Sequence, residues 1–135
     1  MSLEMKLQKI KIYKETTGLL IPISLKKNIP FKVKRIFIIH GKKNYPRGNH
    51  AHYKCSQFLI PLCGSVIIEY EHKKNKLKKT LSLLKNNNLL LKPMTWCRIR
   101  FIANNSKLMV FCDREYEPLD YIKDYTKFKT MFKKI

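Results

Sequence analysis

Along most of this chain, apolar and polar positions alternate in short bursts, and that pattern predicts strands. Residues 33–40 (VKRIFIIH) are rich in the β-branched and aromatic side chains that suit a pleated, half-buried surface. Residues 57–62 and 65–71 flank Gly64, which reads as the turn glycine of a hairpin. Residues 77–84, 89–92, 97–102 and 108–113 continue the series, separated by polar stretches such as KNNN and ANNSK. Near the start, residues 9–13 and 19–23 bracket Thr16-Thr17-Gly18 as two further candidate strands. Many short strands at this spacing indicate a sandwich or barrel, an all-β fold class. From Pro118 the period changes: Leu119, Ile122, Tyr125, Phe128 and Phe132 step by three or four, which predicts a C-terminal α-helix packed on the outside of the barrel. Pro118 suits its first turn, and Asp120 and Asp124 complement its amino-terminal dipole.

With 135 residues, no internal repeat and no linker, the chain reads as one domain over 1–135. No apolar run approaches the ~18 residues of a membrane span, and residues 1–11 lack a signal-peptide core, so the expectation is a soluble, cytoplasmic protein with no membrane partner. Charge complicates this picture. Twenty-nine Lys and Arg against nine Asp and Glu give +20, a balance often found in nucleic-acid binders. Only five of those cations are Arg, however: Arg35, Arg47, Arg98, Arg100 and Arg114. Base and phosphate readers favour the bidentate guanidinium and cluster it on one element. The lysine-rich stretches, 73–79 and 129–134, lie at a turn and at the chain end. The excess therefore reads as solvated surface, with no nucleic-acid partner expected, though the field attracts small phosphorylated substrates. Cys55, Cys63, Cys97 and Cys112 have no CxxC spacing and read as reduced thiols in or near the core.

The chemistry concentrates in Arg47-Gly48-Asn49-His50-Ala51-His52. Residues two apart on a strand share a face, so His50 and His52 project into one cavity and Ala51 points away. Paired imidazoles on one wall suit metal binding or proton movement. The spacing resembles the cupin motif, but Gln57 stands near the usual metal-binding Glu, and Cys97 or Arg98 replaces the third His. Neutral Gln is a poor ligand and Arg stays protonated, which leaves two good ligands where catalytic zinc keeps three. The expectation is a cupin-like scaffold with no metal and no cofactor.

Taken together in order, RGNHAH, QFLIPLCGSVIIEYE, LLLKPMTW and VFCDREYEPLDYIKDYTKF resemble the dTDP-4-dehydro-6-deoxyglucose 3,4-ketoisomerases, over residues 30–128. The resemblance implies a small cupin (jelly-roll) β-barrel and conversion of dTDP-4-dehydro-6-deoxyglucose to its 3-keto isomer, in amino-deoxysugar synthesis for surface glycans. It also implies a homodimer with exchanged amino-terminal strands. The chain departs from the family at Thr17-Gly18, where an Arg often precedes the glycine, and at 37–40, where Phe37, Ile38, Ile39 and His40 replace a Tyr-bearing strand.

On that analogy His50 and His52 are the catalytic pair, one moving the carbon proton and the other assisting at the oxygens. An ordinary imidazole pKa of ~6.5 suits the task. Arg47 is assigned to the diphosphate or the enediolate oxygen, with a structural ion pair as its alternative. Trp96 either stacks on the thymine or sugar or fills the core. His40 stands in for the missing Tyr or is an exposed strand-end residue. Tyr45 lines the entrance or caps a loop. His72 reads as solvated surface, and Tyr116, Tyr121 and Tyr125 as packing. The rival readings are a metal-dependent cupin using His50, His52 and Cys97, and a non-catalytic basic binding module.

Overall fold

A computed structural model describes residues 7–132. One five-stranded sheet runs β1 (Leu7–Gln8), β9 (Asn88–Leu91), β6 (Gln57–Cys63), β11 (Lys107–Cys112), β4 (Arg35–His40). The other, also five-stranded, runs β12 (Tyr121–Ile122), β5 (Arg47–His52), β10 (Thr95–Phe101), β7 (Ser65–His72), β8 (Asn75–Ser82). All pairings are antiparallel. A third pairing, β2 (Tyr13–Glu15) with β3 (Gly18–Leu20), makes an isolated hairpin. The two large sheets face one another as an open jelly-roll sandwich rather than a closed barrel, and no helix among the described residues is long and apolar enough to cross a membrane.

Between the sheets lies the main core, where Leu59, Val66, Ile68, Leu89, Leu108 and Val110 are almost fully buried. The central strand β6 is covered on both faces, which explains its unbroken apolar run: Leu59 points into the sandwich, and Phe58 and Ile60 pack outward against Ile10, Ile29, Leu90 and Phe111. Pro61 is tolerated inside that strand because the pairing with β11 shifts register at Lys107/Leu108, which frees the ladder from needing its missing N–H. The predicted hairpin at Gly64 is present, its glycine at φ +72° joining β6 to β7.

Some boundaries differ from the expectations. Residues 9–12 are unpaired between β1 and β2; Ile10 is instead held by its N–H to Asn86 Oδ1 at 3.0 Å and by burial. Of 19–23 only the first two residues stay in a strand, while Ile21 and Ile23 pack against the outer face of the first sheet, ahead of the one-turn helix α1 (Leu25–Asn28). The C-terminal helix is shorter than its apolar period predicts: α2 covers Tyr125–Thr130, capped by Asp124, whose carboxylate accepts from the Lys127 N–H. Upstream, Pro118–Asp120 forms a single 3-10 turn and Tyr121–Ile122 joins the open edge of β5, where strand pairing satisfies the backbone groups a helix would have paired internally. Leu119 is correspondingly 93% exposed.

The outer face of the second sheet is closed by α2, with Phe128, Phe132 and Ile122 packed on Ala51. Ala51 and Phe128 are both fully buried, so the helix backs the strand that carries the two histidines. We expect Phe128→Ala to cost about 3–5 kcal/mol in denaturant unfolding, the usual range for truncating a buried Phe.

Candidate active site

Strand β5 owes its usefulness to an irregularity. On β10, Cys97 pairs with His50 and the next residue, Arg98, pairs with Gly48, so Asn49 is an extra residue on β5. Gly48 at φ +84° and Asn49 at φ +57° absorb the bulge. A Cβ on Gly48 would lie 2.8 Å from the Cys97 carbonyl oxygen, so this position needs glycine. The bulge also changes which side chains share a face. Arg47 opposes Ile99 and His50 opposes Cys97, and both partners point into the sandwich. Arg47, His50 and His52 therefore face inward together, although 47 and 50 would be on opposite faces of a regular strand.

The two imidazoles lie with ring centroids 5.0 Å apart, nearly perpendicular. Asp120 sits behind them and organises the deeper ring: its Oδ2 is 3.1 Å from His52 Nδ1. The same carboxylate accepts the backbone N–H groups of Lys54 (2.8 Å, Oδ1) and Cys55 (3.2 Å, Oδ2), which fix its orientation. A carboxylate only accepts, so His52 Nδ1 carries the proton and Nε2 presents a lone pair. That Nε2 is buried and without a hydrogen-bond partner among the described residues. Burial, with His50 nearby, lowers the His52 pKa to about 4 against the opposing pull of Asp120. Burial likewise lowers His50, opposed by its hydrogen bond to the Gly48 backbone. Both rings are neutral at pH 7.

Tyr121 completes the wall, its ring centroid 4.3 Å from that of His52 and 5.0 Å from that of His50. Sequence reasoning missed both Asp120 and Tyr121, assigning one to a helix dipole and the other to packing. The signal lay in the EYEPLDYIKDY tail, whose apolar spacing imitates a helix. Arg35 was also missed; on β4 the face bearing Arg35, Phe37 and Ile39 turns inward and that bearing Ile36, Ile38 and His40 turns out. Its Nη2 lies 3.6 Å from Cys112 Sγ.

His52 lines a small void with His50, Cys55 and Gln57, adjoining a cavity of about 370 Å³ that is lined by His50, Arg47, Gln57, Cys97, Tyr121 and apolar residues of β4. His40 lies at its rim, on an exposed strand-end position. Two expected binding residues stand apart from it. Trp96 projects from the other face of β10, packed against Tyr125 and Phe128 at ring distances of 5.1 and 5.7 Å. There it borders a separate outer groove with Arg98, Glu69 and Glu71. Tyr45 is 69% exposed on the loop before β5. His72, expected at the surface, is half-buried, its Nδ1 2.9 Å from Thr95 Oγ1.

As to metal donors, His52, Cys55 and Asp120 bring ligand-type atoms within 4.8 Å of one another. Their chemistry fits a metal poorly. The hydrogen bond with Cys112, followed by burial, pushes the Cys55 thiol far up, which keeps it protonated, and Asp120 is already engaged by three donors. Cys97, opposite His50, is pushed up to about 12 by burial.

Comparison with known proteins agrees with this geometry. The family model described as FdtA: WxcM-like, C-terminal matches residues 3–133. The chain is 32% identical, over 98% of its length and 96% of the relative's, to a TDP-4-oxo-6-deoxy-alpha-D-glucose-3,4-oxoisomerase of Aneurinibacillus thermoaerophilus. It is similar to the solved structure of a 3,4-ketoisomerase from Helicobacter canadensis, with a TM-score of 0.88 and 31% identity over 97% of this chain and 98% of that one. It is also similar to a mutant of the 3,4-ketoisomerase QdtA from Thermoanaerobacterium thermosaccharolyticum in complex with TDP-4-keto-6-deoxyglucose, with a TM-score of 0.89 and 30% identity over 99% and 97% of the two chains. A strand-borne histidine pair on a jelly-roll sandwich, matched from end to end at this level, means that the chain belongs to the FdtA, WxcM-like C-terminal family.

Proposed function

We propose that this protein is a dTDP-sugar 3,4-ketoisomerase, acting on dTDP-4-dehydro-6-deoxyglucose to form the 3-keto isomer in amino-deoxysugar and surface-glycan synthesis in the cytoplasm. The observation that carries the reading is the neutral His50–His52 pair, its deeper ring oriented by Asp120 and its His50 lining a cavity of about 370 Å³. Moving a carbonyl from C4 to C3 requires a proton to leave C3, an enediol, and a proton to reach C4. A base for that task must be unprotonated in the cavity near neutral pH, and both imidazoles meet the requirement because burial holds their pKa values below 6.5. As neighbours on one wall they suit carriage of the same proton from C3 to C4. Arg47, on the inward face beside His50, suits the diphosphate or an enediolate oxygen as a bidentate donor.

We infer a homodimer as well. Strand β4 is an open sheet edge whose outward Ile36 and Ile38 are 48% and 49% exposed. The β2–β3 hairpin pairs with no other strand of its own chain among the described residues and carries Tyr13, Leu19 and Leu20 at 41%, 52% and 56% exposure. Exchange of that amino-terminal hairpin between two copies covers both surfaces and removes the edge. Strand β1, by contrast, docks on β9 of its own chain, so the hairpin is the exchanged part.

Five outcomes are expected. Incubated with dTDP-4-keto-6-deoxyglucose and followed by NMR, the protein forms the 3-keto isomer with or without chelator. His50→Asn and His52→Asn each reduce turnover by about 10²–10⁴-fold with unchanged circular dichroism; full activity in either contradicts the reading. Asp120→Asn reduces turnover similarly, because an amide no longer enforces the Nδ1–H tautomer. Stability follows pH in a set direction. Between 6.5 and about 4 the unfolded His52 takes up a proton that the folded one refuses, so unfolding free energy falls as pH drops through that window. Denaturant titrations across it should give a shallower fall for His52→Asn. Light scattering should report a dimer, shifted toward monomer by Leu19→Lys with Leu20→Lys.

A further inference from the structure

The ketoisomerase reading leaves one proton unassigned. While the carbon proton goes from C3 to C4, an oxygen proton must also move, from the O3 hydroxyl to O4. The histidines are poorly suited to it. His52 donates its single ring proton to Asp120 and its other ring nitrogen is buried, and His50 is tied to the Gly48 backbone, so at neutral pH neither ring has a proton free for the substrate oxygens. Whichever ring takes the C3 proton must keep it for C4. The other cavity-lining groups narrow the choice. Gln57 has no acidic proton, burial makes the Cys97 thiol a very weak acid, and His40 lies at the exposed rim.

One hydroxyl remains on the wall itself, that of Tyr121, whose ring packs against both imidazoles. Beside it stands the one guanidinium on the inward face of β4, Arg35, a hydrogen-bonding neighbour of the Tyr121 side chain. Arg35 has no carboxylate partner among the described residues. Its Nη2 reaches the Cys112 thiol at 3.6 Å, its guanidinium lies over the rings of Phe37 and Tyr116 at 5.4 and 5.5 Å, and its buried Nε has no partner there. The hydrogen bond from Cys55 and then Arg35 draw the Cys112 thiol down to about 6, so this cation already favours an anion beside it, and with no carboxylate against it is suited to stabilising a transient phenoxide on Tyr121.

We propose that Tyr121 is the catalytic acid and base for the substrate oxygens, with Arg35 as its positioning and charge-stabilising partner. This deepens the ketoisomerase reading and rests on it. As an imidazole removes the C3 proton, the C3–H electron pair forms the C3=C4 double bond and the carbonyl electrons move to O4. The Tyr121 hydroxyl protonates O4, leaving an enediol, a phenoxide beside Arg35 and an imidazolium. The phenoxide then removes the O3 proton, the C3=O carbonyl forms, and C4 takes the proton from the imidazolium. Tyrosine and imidazole both return to their starting states, and no external acid, base or oxidant enters.

The test is turnover of dTDP-4-keto-6-deoxyglucose by the full chain, with kcat and KM measured separately. Tyr121→Phe should lower kcat by about 10²–10⁴-fold while KM changes little. Because Tyr121 also packs on the histidines, an isosteric fluorotyrosine placed at 121 provides the second measurement. Its more acidic phenol should move the alkaline limb of the kcat profile to lower pH with the fold intact, which loss of packing would not do. The groups facing that phenol are His50 and His52 on β5, Arg35 on β4, and Tyr116 and Lys123 flanking its own strand. Arg35→Gln should depress kcat and shift the same limb upward. A Tyr121→Phe enzyme within about tenfold of wild type, or a fluorotyrosine enzyme with an unmoved alkaline limb, overturns the proposal. A wild-type protein that leaves the substrate unchanged overturns the ketoisomerase reading itself, and this inference with it.

Discussion

Everything at this site depends on the two-residue pairing of Tyr121–Ile122 with the His52–Ala51 end of strand β5. That short contact performs several tasks at once. It closes the edge of the second sheet, places Ile122 in the cluster behind Ala51, and lays the Tyr121 ring across both imidazoles. It also brings the preceding Asp120 under His52, where the carboxylate collects two backbone N–H groups and the imidazole. A buried carboxylate is costly unless its lone pairs are met, and three donors meet them here. The geometry of the histidine pair and fold stability are therefore coupled through one carboxylate, so disturbing the tail disturbs the histidines even though they lie some seventy residues away along the chain.

Electrostatics follow from that arrangement. Removing an imidazole from water lowers its pKa, and a neighbouring carboxylate raises it; at His52 the burial wins. Asp120 thus acts mainly as an orienting acceptor that sets the tautomer. The result is a pair of neutral rings, of which His50 lines the cavity beside Arg47, with Arg35 next to Tyr121. Neutral imidazoles are receptive to protons, and cations near them favour any negative charge that develops there.

Much of this was legible in the sequence, for identifiable physical reasons. The strand periods of 57–62 and 65–71 around Gly64 reappear nearly unchanged as β6 and β7, since a two-sided apolar run and a turn glycine leave few alternatives. The alternation His50-Ala51-His52 assigned faces correctly, with Ala51 under the helix. What periodicity could not reveal was a bulge at Asn49, because a single extra residue leaves no mark on composition. That is why Arg47 reads as a strand-mouth residue rather than a third side chain on the same inward face. The tail misled for another reason. Ile122 is buried under α2 at a position that fits a helical step, although its backbone is extended and paired with Ala51. Trp96 was ambiguous in register, and the pairing Trp96 with Glu71 turns it to the outer face.

The large positive charge also takes on a different meaning once the side chains are located. The lysines at 73, 74, 76 and 78 surround the β7–β8 turn and are exposed, as a solvated surface requires. The five arginines do not form one recognition surface. Arg98 and Arg100 decorate the outer half of β10, the latter paired with Glu69, and Arg114 lies near Glu117. Arg47 instead lines the cavity, and Arg35 lies on the inward face of a strand in the opposite sheet. A polyanion reader needs its guanidinium groups in a row on one accessible element. Splitting them between an outer face and the interior of the sandwich leaves no such row.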